Sequence, residues 1–195
     1  MKIESASEQG LAPANPFSAT DVEAILRDRG WLTADVTPGI ETWLCAAAAL
    51  LGPQAAANPA SSGGARAALQ DLLSLIFFYD ARALLDDVDH QTVMAREGAR
   101  EVIRELAHRV LSQPASEGAG IDSQRYHEII ETLKASLGFR GRELFHPIRL
   151  ALAGRAGEGG LDRVILLIDH AANLSFAVPV KGTRQRIIEF CAALD

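Results

Sequence analysis

Residues 140 to 168 read RGRELFHPIRLALAGRAGEGGLDRVILLI, and the fold class turns on this stretch. Pro147 suits the first turn of a helix, because its ring fixes φ and disfavours helical geometry for His146 before it. The spacing therefore predicts a helix from Pro147 through Leu152, a tight connection at Gly154, Gly157, Gly159 and Gly160, and a buried helix from Leu161 to Ala172. The glycine cluster AGRAGEGGL has the outline of a phosphate loop. It lacks the lysine of such loops, and the chain before it reads as helix rather than strand.

Working outward, the same periodicity recurs on both sides. Downstream, Ser175 to Gly182 reads as irregular, and Arg184 to Leu194 as an amphipathic closing helix. Upstream, Asp122 or Ser123 caps a helix carrying Ile129, Ile130, Leu133 and Leu137 that ends at Gly138. Arg66 to Leu85 and Val93 to Leu111 read as two long helices. Thr37 with Pro38 opens a largely buried helix up to Gly52, and Thr20 with Glu23 forms a T-x-x-E box at the start of a helix over 21–29. GPQAAANPASSGG, from Gly52 to Gly64, and Gln113 to Gly120 read as loops. Residues 1–17 read as a loose arm, 18–113 as an N-terminal helical subdomain and 121–195 as a C-terminal one.

Composition agrees. The 195 residues are 48% hydrophobic and 23% charged and include 33 alanines, a balance that favours helix over strand. A chain of this length buries enough surface to need no disulfide or metal. The N-terminal MKIESASEQGLAPANPF has no apolar core of a signal peptide, the longest apolar run is about half a membrane span, and Cys45 and Cys191 form no framework. A reduced cytoplasmic protein without a membrane association is expected.

Chemistry-bearing patterns are sparse. Glu105 with His108 and Glu143 with His146 have E-x-x-H spacing. The second pair fails as a metal site if His146 precedes the helix, and both read as solvated surfaces. Both cysteines lie in apolar runs and read as small core residues. The acidic run DDVDH, 86–90, matches no EF-hand spacing. No catalytic, metal or cofactor set emerges. The net charge of −6 gives no global attraction for nucleic acid, but charge is segregated. Five arginines against three acids lie between Gly138 and Arg163, whereas seven acids against four arginines lie between Asp80 and Glu105. A guanidinium fork suits phosphate clamping and stacking on unpaired bases.

The run from Arg140 to Ile168 resembles the anticodon-binding region of bacterial glutamyl-tRNA synthetases. There a K-G-K-x-L-F-x-P-L-R-x-A-L-T-G-x-x-x-G-P-x-L pattern joins two helices of an α-helical cage that grips the anticodon loop. Weaker similarity runs upstream through ALQDLLSLIFFYD, and GTRQRIIEFCAAL resembles the family's terminal helix, displaced by an insertion around Asp169 to Val180. The resemblance covers only the synthetase's C-terminal half, and the HIGH and KMSKS signatures of the catalytic half do not occur. It implies that Arg149 contacts the anticodon, that Arg140 and Arg142 meet phosphates, that Arg66 reads the third anticodon base, and that Leu161 gives an apolar base contact. Arg155 belongs to the same basic set. Ala153, Glu158 and Gly159 depart from the pattern, and a carboxylate at 158 repels phosphate unless an arginine such as Arg155 or Arg163 neutralises it.

The expectation is an all-α helical cage of about eight helices. It acts as a stand-alone, non-catalytic binder of a tRNA anticodon loop or other single-stranded RNA, with no DNA, membrane or cofactor. The alternative is a helical protein-interaction module, docking on a partner such as a synthetase, that has lost RNA binding. In the RNA reading Arg149 projects from the helical box into water.

Overall fold

A computed structural model describes residues 15–57, 63–112, 120–157 and 160–194. Ten helices are present among them, and no strand: α1 Ala19–Asp28, α2 Pro38–Ala57, α3 Gly64–Phe77, α4 Ala81–Asp86, α5 Val88–Met94, α6 Ala99–Leu111, α7 Ser123–Leu137, α8 Gly141–Ala153, α9 Leu161–Ala172 and α10 Thr183–Leu194. The fold is all-α as expected, with ten helices rather than about eight. Most of the arm, the 58–62 part of the first loop, the 113–119 connector and Glu158 with Gly159 lie outside the described residues.

The differences have local causes. The run expected as one helix up to Leu85 breaks at Phe78–Asp80, where the Asp80 carboxylate accepts from the amides of Arg82 and Ala83 and starts α4. Asp87, in the acidic run, does the same for α5 through Asp89 and His90. Those carboxylates are caps that satisfy orphan helix donors. α1 is capped by Ser18 with Asp21 rather than Thr20 with Glu23, and Glu23 pairs with Arg27 one turn on. α2 continues past Gly52 and Pro53 to Ala57. Pro53 deprives the helix of one donor, but the carbonyls on either side of the gap, Ala48 and Leu50, accept from Asn15 (2.9 Å) and Arg163 (3.3 Å).

α8 begins at Gly141, six residues before Pro147. The bond Pro147 removes would have gone to the carbonyl of Glu143, an exposed residue, and the ring itself is buried with Leu144 and Ile148. Glu143 and His146 therefore do share one helix, contrary to expectation.

One hydrophobic cluster runs through the whole array. α2 packs on α1, α3 and α9; α9 on α3 and α8; α8 on α6 and α10; α7 on α6; and α10 on α4 and α6. Segments on both sides of the 113–119 connector thus share a core. Its aromatic centre stacks Trp31 on Phe77 at 4.7 Å, with Trp43 and Phe176 edge-on around Phe77. Trp43 is fully buried and donates its indole N–H to the Leu167 carbonyl at 3.1 Å. Phe176 comes from the α9–α10 connection and, half-buried, packs edge-on against Trp43 of α2 and Phe77 of α3. No described helix is long and apolar enough to cross a membrane. Cys45 is exposed and Cys191 half-buried, so neither is the core residue expected.

α10 ties the array together through Arg186. This side chain is fully buried and donates to the carbonyls of Leu75 (3.0 Å), Ile76 (2.6 Å), Leu152 (2.8 Å) and Lys181 (2.8 Å). Leu75, Ile76 and Leu152 belong to the last turns of α3 and α8, whose carbonyls have no partner within their own helix. The Tyr79 hydroxyl donates to a fourth, Ala151, at 2.6 Å, and its ring lies 4.7 Å beneath the guanidinium. Burial pulls the Arg186 pKa down to about 10, so it stays charged at neutral pH, held by the negative ends of two helices.

Candidate nucleic-acid interface

Two exposed arginines stand at the corner between α7 and α8. Gly138 ends α7 with φ 74° and Gly141 opens α8 with φ 54°, conformations glycine adopts without strain. Phe139 between them seats its ring where a side chain on Gly98 would stand. Arg140 and Arg142 both emerge exposed, and among the described residues no carboxylate is within ion-pair distance of Arg140. The N-cap residue Arg140 makes no side-chain cap bond to the first turn of α8, and an uncapped helix start with an arginine beside it suits a phosphate. Nearby, the Lys134 hydrogen bond, with His127 and Arg140 contributing charge, holds the Glu131 carboxyl below its ordinary pKa.

Arg142, Phe145 and Arg149 follow at i, i+3 and i+7 and so share one face of α8, spread over about 10 Å at ~1.5 Å rise per residue. The Phe145 ring is flanked by the Lys134 ammonium at 5.8 Å and the Arg149 guanidinium at 5.0 Å. Sequence reasoning missed Phe145 and Lys134, although the Arg–aromatic–Arg spacing was there to find.

Arg149 does not project into water. Its Nε and Nη2 donate to the two carboxylate oxygens of Asp162 at 2.8 and 2.7 Å, and Nη1 donates to the Gly157 carbonyl at 2.7 Å. The side chain is 12% exposed. The cause is its position: Ile148 and Leu150 on either side are fully buried, which brings the guanidinium to the seam with α9, where a desolvated charge requires a partner. The Tyr126 hydroxyl also donates to Asp162, at 2.7 Å. Burial first, and the Asp162 charge second, push the Tyr126 pKa above its ordinary value.

The other expected residues lie outside α8. Arg155 forms a two-pronged pair with Asp71 of α3, at 2.6 and 3.0 Å, which holds the Asp71 carboxyl below its ordinary pKa. Arg66 pairs with Asp28 at 2.8 Å. Leu161 is 4% exposed, turned into the core as the first residue of α9. The structure thus brings Arg140 and Arg142 to one exposed corner, sets Arg149 on the same helix behind a carboxylate, and places Arg66 and Arg155 in ion pairs elsewhere. Among the described residues no His, Cys, Asp and Glu are grouped to hold a metal.

No curated protein and no solved structure matches the chain. The family model of the anticodon binding domain matches residues 65–174, more than half of the chain, spanning α3 to α9 with the arginine-bearing helix inside it. With that match over an all-helical array, the chain belongs to the anticodon binding domain family.

Proposed function

We propose that this chain is a non-catalytic RNA-binding module that takes a tRNA anticodon loop, or a similar single-stranded RNA, on the face led by Arg140 and Arg142, and that it is functionally akin to the C-terminal region of glutamyl-tRNA synthetases. The observation that carries the reading is the exposed Arg140–Gly141–Arg142 corner at the uncapped start of α8, inside the matched family region. Phosphates would meet the two guanidinium groups and the first-turn amides, and the α8 face beyond would lie along the strand. Neutralising one phosphate contact on single-stranded RNA lowers the slope of log affinity against log salt by about 0.7. Arg140→Ala and Arg142→Ala should each weaken binding and reduce the slope by that amount, and unchanged slopes in both would refute the assignment.

A second reading, a protein-interaction module on a synthetase-like scaffold, is favoured by one observation: Arg66, Arg149 and Arg155 are each paired with a carboxylate of their own chain. It predicts partner binding that survives both substitutions.

A further inference from the structure

Resting on the RNA reading above, we infer that Asp162 is a built-in phosphate mimic: it occupies the fork of Arg149 in the free protein, is displaced by an RNA phosphate, and so sets the affinity of the α8 face. A carboxylate engaging Nε and Nη2 together uses the same planar, two-pronged geometry by which arginine clamps a phosphodiester. The Asp162 oxygens at 2.8 and 2.7 Å therefore mark where two phosphate oxygens would sit.

Three features make the exchange feasible. Arg149 lies on the face it shares with exposed Arg142, so a strand held at the α7–α8 corner is led toward it. Asp162 is 31% exposed, so it can release Arg149 toward water while still accepting from the Tyr126 hydroxyl at 2.7 Å. It also stands in the first turn of α9, where the helix dipole favours a negative charge with or without Arg149. Letting go thus costs the carboxylate less than it would in a core, while the Gly157 carbonyl, at 2.7 Å, keeps the guanidinium aimed along the seam.

The test is binding of the full chain to total tRNA, by filter retention across a salt series, for wild type, Asp162→Asn, Arg149→Ala and the double variant. Asp162→Asn should bind about tenfold tighter, the size of one charge-assisted contact, with a salt slope steeper by about 0.7. Arg149→Ala should abolish that gain in the double variant and cost less in the wild-type background. Asp162→Asn binding no tighter than wild type, while wild type binds with normal salt dependence, overturns the mimic and leaves the RNA reading standing. No binding by either protein removes both. Should Asp162→Asn fold poorly, the Arg149 Nε–H resonance of the wild type serves instead: it should shift as tRNA is added, and a resonance unmoved at saturation overturns the exchange.

Discussion

Replacing Arg186 with methionine keeps most of the side-chain volume and removes four hydrogen bonds, to Leu75, Ile76, Leu152 and Lys181. Three of those carbonyls close α3 and α8 in the core, and a buried acceptor left without a donor costs about 1–3 kcal/mol. Against this stands the relief of a desolvated charge, whose burial outweighs the opposing charges of its surroundings and pulls its pKa to about 10. Taking the low end for three carbonyls and adding the lost ring contact with Tyr79, the lost contacts come to about 3–4 kcal/mol before the relieved charge returns part of it. That is a large share of the ~5–15 kcal/mol that stabilises a domain. Urea unfolding followed by circular dichroism at pH 7 measures it, with the slope m checked for constancy. Arg186→Lys, with one donor group on a shorter side chain, should recover only part. A methionine variant within about 0.5 kcal/mol of wild type, the range of neutral surface changes, would mean that the helix ends do not depend on this residue.

Other perturbations read other parts of the structure. Gly98→Ala combines a φ of 78° with a Cβ set 2.1 Å from the Phe139 ring, so it should lose about 2–4 kcal/mol of stability in the same assay and displace the Arg140 corner. The Asp71 carboxyl is held low by Arg155, so its contribution is present above the ordinary carboxylate pKa and is lost as pH falls through the depressed one. Asp71→Asn should therefore flatten the stability profile below about pH 4, by less than about 1 kcal/mol for an exposed pair. An unchanged acid limb would show that the pair does not hold in solution.

What the sequence disclosed was whatever is encoded locally. α7 follows from its Asp122 cap, which accepts from the Arg125 amide at 2.7 Å, and from Gly138, and α9 follows from its apolar period. The breaks at Asp80 and Asp87 were legible in principle, since an aspartate before a helical stripe is a cap, but their helices have only six and seven residues, too short for a period to show. α8 departs from the expected start at Pro147 because burial of the proline ring and an exposed Glu143 turn let the helix run through it. The site was legible in residue type and not in state. Arg140, Arg142 and Arg149 stand out on composition, yet what Arg149 faces is fixed by Asp162, 13 positions on across the glycine turn, and no local rule couples them. Arg186 had a faint signal of its own: it falls on the buried stripe of α10 with Thr183, Ile187 and Phe190, where an arginine must be paired with something.

The most direct test of RNA recognition is to incubate the purified chain with total tRNA at low and physiological salt and to sequence what is retained. The account predicts retention that weakens with salt and is enriched, at the higher salt, in tRNAs that share anticodon-loop nucleotides. Weak retention that is uniform across all tRNAs, or none at either salt, would contradict it.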